Sequence, residues 1–243
     1  MKLPDSIRIE RRGFQKLYLS EGVTAEEVFT ALSAPGEMLK HGKKRNVRRV
    51  GDWVIKSALF NAGVGILKLS VYRKRYRNGW RASIELTRRG ISVPRTIAFV
   101  EQRFMGVIWG NSLIYEYMKD CIPTHIFAQS LKARGGEAEI DAYFQGLSDA
   151  LGKLAEANVF HRDLKPDNIL TLDLNTFYFI DLDEILLDEP FRVEHRLRNH
   201  TQLANGFQHD WEKVRIDDFL QKTIPEGEDH DKWLAQVWDG VAK

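Results

Sequence analysis

Two neighbouring stretches hold the residue types that could do chemistry: His161-Arg162-Asp163-Leu164-Lys165-Pro166-Asp167-Asn168-Ile169-Leu170 and Phe179-Ile180-Asp181-Leu182-Asp183. Asp163, Asn168 five positions later and Asp181 thirteen beyond that are separated by two short apolar runs. Runs at 169–172 and 177–180, joined by Asp173-Leu174-Asn175-Thr176, read as a hairpin, which brings three oxygen-bearing side chains to one edge. That set suits Mg²⁺ and a phosphoryl group. A hard cation takes few protein oxygens, and a carboxylate beside the attacking hydroxyl takes its proton.

The order H-R-D-x-x-x-x-N with a later Asp resembles the catalytic and metal loops of protein-kinase-like phosphotransferases. The resemblance implies Asp163 as catalytic base, Asn168 and Asp181 as Mg²⁺ ligands and Lys165 as the charge that neutralises the transferred phosphoryl. His161 counts with Asp163 and Lys165 among the catalytic residues. Asp183 stands where such loops usually carry Gly, and both a metal carboxylate and a surface residue remain open for it.

The elements that position these residues follow from period. Ile140, Phe144, Leu147, Leu151 and Leu154 recur at steps of three and four, so a helix over 139–157 delivers the chain to His161. Upstream, extended runs at 38–40, 46–50 and 52–57 predict three antiparallel strands, and 95–100 and 112–117 two more. Lys56 ends an apolar strand and resembles the lysine that holds the ATP α- and β-phosphates. The loop Lys40-His41-Gly42-Lys43-Lys44-Arg45 has one glycine and four basic residues, so Gly42 and Arg45 are candidate phosphate contacts, with a solvated basic turn as the alternative. A helix over 77–89, stopped by Gly90, carries Glu85 as its one carboxylate and therefore as the candidate partner of Lys56. The Glu116 to Met118 backbone, at the end of a core strand, is the candidate adenine contact.

Thr24-Ala25-Glu26-Glu27 predicts a capping box opening a short helix within an N-terminal appendage, residues 1–37. The remainder is expected to form an N-lobe over 38–118, with a nucleotide-binding sheet and one helix, and a C-lobe over 119–243 with the catalytic and metal loops and the acceptor site. The fold class is α+β, a protein-kinase-like two-lobed fold with a small antiparallel-sheet N-lobe and a mainly helical, shortened C-lobe. Only 62 residues follow Asp181, and they hold no A-P-E segment. Little room remains for the apparatus that binds a peptide substrate.

A chain of 243 residues with 43% hydrophobic content buries a substantial core. Lysine and arginine number 36 against 34 acidic residues, which offers no argument for nucleic acid. The single cysteine, Cys121, excludes an internal disulfide and suits a reducing compartment. No apolar run reaches membrane-spanning length, so a cytoplasmic protein is expected, on its own or at the inner face of a membrane. Residues 68–81 carry six basic side chains and no acid, and Lys68–Arg81 is the candidate contact for lipid head groups or a phosphorylated sugar.

Taken together, Leu39-Lys40-His41, Arg45 to Val50, Lys56, Tyr72 to Ala82, Gly90 to Pro94, His161 to Leu170, Ile180 to Asp183 and Arg196 to Asn199 resemble the bacterial lipopolysaccharide core kinases of the WaaP/InaA group. The resemblance spans about residues 38–205. It implies ATP- and Mg²⁺-dependent phosphorylation of a hydroxyl on a core sugar, heptose or Kdo, at the cytoplasmic face of the inner membrane. Two other functions stay in play. Arg162 with Lys165-Pro166 reads like a compact Ser/Thr protein kinase, and the unusual 40–45 loop admits a nucleotide-binding pseudokinase.

Overall fold

The computed structural model describes residues 7–41, 46–59, 66–105, 107–134, 136–187 and 192–241. Two units divide the chain: Met1–Ile84 with Pro94–Lys119, and Glu85–Val93 with Asp120–Lys243.

In the first unit, β1 (Arg8–Arg12), β2 (Gln15–Leu19), β3 (Glu37–His41), β4 (Asn46–Val50), β5 (Trp53–Leu59), β6 (Thr96–Phe104) and β7 (Val107–Glu116) form one sheet. Its order is β1-β2-β6-β7-β5-β4-β3, and every pair of neighbours is antiparallel. Alternation along the strands separates two apolar faces. Leu17, Leu19, Ile55, Val100 and Ile114 pack with Val28 and Ala31 of helix α1 (Ala25–Ser33). Tyr18, Ala58, Phe99 and Leu113 pack with Tyr76 and Trp80 of helix α2 (Ile66–Arg88). The Trp80 ring stacks on Phe99 with centroids 5.6 Å apart.

Of the expected appendage, residues 1–37, the described part from residue 7 onward belongs to the first unit. Gln15–Leu19 ends in three consecutive buried residues, Leu17, Tyr18 and Leu19, so β2 joins the sheet beside β6 with Leu17 opposite Val100, and α1 covers the Leu17 face. The expected capping box is present: the Glu27 amide donates to Thr24 Oγ1 at 3.3 Å, and the Thr24 amide donates to Glu27 Oε2 at 2.8 Å. Helix α2 begins at Ile66, well before the expected Arg77, because 66–76 contains neither glycine nor proline and its basic residues favour helix.

The second unit is mainly helical. It comprises β8 (Ile122–Pro123), α3 (Thr124–Arg134), α4 (Glu137–Glu156), β9 (Phe160–His161), β10 (Ile169–Thr171), β11 (Phe177–Phe179), β12 (Ile185–Leu186), α5 (Val193–Phe207), α6 (Lys213–Gln221) and α7 (His230–Val241). The predicted stripe of α4 is buried, and Phe144 meets Trp211 and Phe207 edge-on at 5.2 and 5.9 Å. His200 of α5 sits at the junction with α7. Trp233 Nε1 donates to its Nδ1 at 2.9 Å, and its Nε2 lies 3.0 Å from Thr223 Oγ1.

Candidate active site

Two short ladders bring the two candidate stretches, 161–170 and 179–183, side by side. In β10 and β11, Ile169 pairs with Phe179; in β9 and β12, His161 pairs with Ile185. The loop 162–168 leaves β9 and enters β10, while 180–184 leaves β11 and enters β12, so both loops open at the same edge. The Ile180 amide donates to the Asn168 carbonyl at 2.9 Å and closes the junction between them.

His161 is fully buried and joins the two loops. The Asp163 amide donates to His161 Nδ1 at 3.2 Å, so the proton resides on Nε2, which donates to the Ile180 carbonyl at 2.9 Å. Only the neutral ring satisfies both bonds. Burial pushes its pKa below the ordinary value against the opposing pull of the Ile180 carbonyl and nearby carboxylates. His161 thus positions Asp163 and the residue before Asp181 and carries no charge.

Asn168 orders the other end of the loop. Its Nδ2 donates to the Asp163 carbonyl at 2.8 Å and to Asp163 Oδ2 at 2.9 Å, which leaves Asn168 Oδ1 as an acceptor. Lys165 Nζ lies 3.4 Å from the same Oδ2, and both side chains are about half exposed, at 46% and 44%. Asp163 therefore has one oxygen held by its loop and a carboxylate that solvent, or an acceptor hydroxyl, can reach.

Asp181 stands in the left-handed region, φ 57° and ψ 47°, where Asp is among the few side chains tolerated. The reversal begins a 3₁₀ turn over Leu182–Glu184 instead of continuing β11. Asp183 is buried, at 3% exposure, which removes the surface reading left open for it. An Asn amide oxygen and an Asp carboxylate on adjoining loops are hard oxygen donors in small number. They fit Mg²⁺, which keeps waters and substrate phosphates as its other ligands.

Helix α5 braces this loop with residues whose role the sequence alone did not disclose. Asn199 Nδ2 donates to the His161 carbonyl at 2.7 Å. Gln202 Nε2 donates to the Arg162 carbonyl at 2.8 Å, and Gln202 Oε1 accepts from the Leu164 amide at 3.0 Å. At Gly206 a Cβ would overlap the Pro166 ring, so only glycine allows the approach. The spacing of 199, 202 and 206 on one helical face was visible, yet nothing local tied that face to a loop some forty residues earlier. Gln202→Ala is expected to lower kcat by about 10- to 100-fold through a displaced loop. Steady-state kinetics should show KM for the nucleotide nearly unchanged, and an unaltered kcat would remove Gln202 from this role.

The remaining predicted site residues fall as follows. In the first unit, Lys56 pairs with Leu113 in the sheet and is buried, at 8% exposure, its ammonium 5.6 Å from the Tyr76 ring of α2. The Glu116 amide donates to the Arg95 carbonyl at 2.9 Å and the Tyr117 amide to the Asp52 carbonyl at 2.7 Å, so the start of the 116–118 segment is anchored by its own unit. Met118 follows, half-buried. Gly42 and Arg45 lie outside the described residues. In the second unit, Glu85 is buried and takes Arg88 Nη2 at 2.6 Å and Arg89 Nε at 2.7 Å. Arg88, then burial opposing, then Arg89, leave its pKa at about 2. Arg89 also donates to the Ala157 carbonyl at 2.6 Å, which ties the end of α2 to the end of α4.

The family model of the "Lipopolysaccharide kinase (Kdo/WaaP) family" matches residues 65–221, more than half of the chain and all of the loops above. Comparison with curated protein sequences gives no match. Among solved structures, "WaaP in complex with acyl carrier protein" superposes with a TM-score of 0.68 at 15% identity, covering 89% of this chain and 91% of that one. A crystal structure of WbdD superposes with a TM-score of 0.53 at 15% identity, covering 86% of this chain and 51% of that one. The kinase-like fold expected from the sequence is therefore the fold observed, and the chain belongs to the lipopolysaccharide kinase (Kdo/WaaP) family, whose members are phosphotransferases with a hydroxyl acceptor.

Proposed function

We propose that this kinase transfers the γ-phosphoryl of ATP to a hydroxyl of a sugar in the lipopolysaccharide core, heptose or Kdo, at the cytoplasmic face of the inner membrane. The observation that carries the proposal is the hydrogen-bonded frame of His161, Asp163, Asn168 and Ile180, which holds a half-exposed carboxylate beside two oxygen donors suited to Mg²⁺. Bound Mg²⁺·ATP would supply the phosphoryl group and neutralise its charge. Asp163 orients the acceptor hydroxyl and takes its proton. Lys165, already beside that carboxylate, offers positive charge to the transferred group. Asn168 Oδ1 and the Asp181 carboxylate are the ligands for Mg²⁺. In the first unit, Lys56 is assigned to the nucleotide phosphates, and the Glu116 carbonyl with the Met118 amide to the adenine edge. Glu85 keeps its assignment as a support of the nucleotide site, and Lys68–Arg81 is the assigned contact for an anionic acceptor or lipid.

Among the described residues no helix is long and apolar enough to cross a membrane. The test is to delete the gene, isolate the lipopolysaccharide core and weigh it by mass spectrometry, with restoration by purified protein, ATP and Mg²⁺. Loss of one phosphate per core molecule, restored by the wild-type chain, is expected. An unchanged core together with labelling of protein substrates would replace this reading with that of a compact protein kinase. Mg²⁺-dependent ATP binding without transfer to any acceptor would make the chain a pseudokinase.

A further inference from the structure

One end of the seven-stranded sheet shows large apolar side chains that neither core cluster uses. The β1–β2 turn carries Phe14, 65% exposed, and the β6–β7 hairpin carries Met105 and Trp109, 86% and 57% exposed. The two tips adjoin, because the Arg103 amide donates to the Phe14 carbonyl at 2.6 Å and Gln15 pairs with Gln102. Backbone irregularities put two of the three outward. Met105 has φ 47°, in the left-handed region that an ordinary side chain seldom adopts. Gln102 faces Gly110 while Arg103 faces Ile108, so Trp109 is the extra residue of a β-bulge, a device that re-aims a side chain.

Positive charge lies at the same end. Helix α2 runs antiparallel to β6: Ser83 bonds Thr96, Trp80 stacks on Phe99, and Arg77 pairs with Glu101. Its N-terminal half therefore extends toward the Arg103–Trp109 end. From Ile66 to Arg77 that half holds Lys68, Arg73, Lys74, Arg75 and Arg77 and no acidic residue. The carboxylates of this region already have partners, Glu10 with Arg8 and Arg12, Glu26 with Arg12, and Glu101 with Arg77 and Arg103. An aromatic and aliphatic tip beside a cationic helix matches a bilayer interface, where Trp sits at head-group level and Lys and Arg meet lipid phosphates.

We propose that this end of the sheet seats the protein on an anionic phospholipid surface, with Phe14, Met105 and Trp109 entering the head-group layer and the N-terminal half of α2 supplying the attraction. The proposal deepens, and rests on, the reading of a kinase that meets a glycolipid acceptor at a membrane.

Co-sedimentation with vesicles of equal phosphatidylglycerol and phosphatidylcholine, against vesicles of phosphatidylcholine alone, tests it. Wild-type protein should pellet with the anionic vesicles and leave them as salt is raised. The triple variant Phe14→Ser, Met105→Ser, Trp109→Ser should bind at least about tenfold more weakly, since three exposed apolar groups no longer leave water. A Lys68→Gln, Lys74→Gln variant should lose about tenfold through charge alone. Absence of wild-type binding, or equal binding by the triple variant, overturns the proposal. So does a wild-type dimer that the triple variant abolishes in light scattering, because a second copy would then cover the patch. Phosphotransfer to a deacylated, water-soluble core acceptor is measured in parallel and should be the same in wild type and triple variant. Its absence from the wild type would refute the assigned reaction while leaving the vesicle result to stand or fall by itself.

Discussion

Asp163→Asn is expected to lower phosphotransfer about 10³-fold, within the range that loss of a general base costs. An asparagine oxygen can still accept the Asn168 Nδ2 bond that Asp163 Oδ2 accepts at 2.9 Å, so the loop should keep its shape. What disappears is the carboxylate proposed to take the acceptor's proton, together with the charge opposite Lys165. Because Asp163 is about half exposed, its pairing with Lys165 adds little to stability, about 1 kcal/mol at most. The variant should therefore melt within a few degrees of wild type while kcat collapses, with KM for ATP little changed, the signature of an interaction made in the transition state. Asp167→Asn is the internal control: its carboxylate is 63% exposed, on the same loop, 4.0 Å from His125 and outside the frame that holds Asp163. If Asp163→Asn retained more than a tenth of wild-type turnover, or Asp167→Asn fell as far, the assignment of the base would be wrong.

The largest expected effect on stability is a loss between pH 6.5 and 4.5, before carboxylates contribute. Burial, then the nearby positive charge of Arg196, push the His200 pKa down to about 3, and burial pushes His161 in the same direction. A folded-state pKa below the unfolded one means that the unfolded chain takes up the proton first as pH falls. The stabilisation is complete above about 6.5, the unfolded value, and is lost as pH drops toward the folded value. At about 1.4 kcal/mol per unit, His200 alone accounts for about 3 kcal/mol across those two units, and His161 adds with the same sign. Glu85 works elsewhere on the scale, since a pKa lowered to about 2 gives stability that persists above its ordinary 4.5 and declines only below it. Urea midpoints at pH 7.5, 6.5, 5.5 and 4.5 measure the trend. His200→Gln should be less stable at neutral pH yet show a shallower slope. A wild-type midpoint that stays level from 6.5 to 4.5 would mean that these rings are protonated in the fold.

Wherever a structural feature depended on neighbours in the chain, the sequence was sufficient. The α4 stripe, the Thr24 capping box and the hairpin that brings Asn168 and Asp181 to one edge rest on periods of a few residues and on pairing across a short turn. The same locality made the order Asp163, Asn168, Asp181 readable as phosphoryl chemistry, since the loop carrying the first two adjoins the loop carrying the third.

Other features needed the folded chain because their partners are distant in sequence. Residues 1–37 read as an appendage, for a short segment such as Gln15–Leu19 gives no sign of which strand it will join. Its place beside β6 follows from apolar faces that meet only in three dimensions. Glu85 stood out as the one carboxylate of its helix, and the count of acids concealed that Arg88 and Arg89, one turn further along the chain, both reach its Oε1, at 2.6 and 2.7 Å. Asn199 and Gln202 are ordinary polar residues until α5 docks and their amides meet the backbone of the catalytic loop.

The stretch from His161 to Asp183 thus pointed, by itself, to the class of reaction and named the residues proposed to carry it. Tertiary structure decided how those residues are held: a buried neutral His161 whose two nitrogens bond both loops, a left-handed Asp181, and a helix whose glycine lets it lie against Pro166. The physical reason is that side-chain chemistry and short periods are properties of nearby residues, whereas burial, tautomer and hydrogen-bond partner depend on atoms that only folding brings within reach.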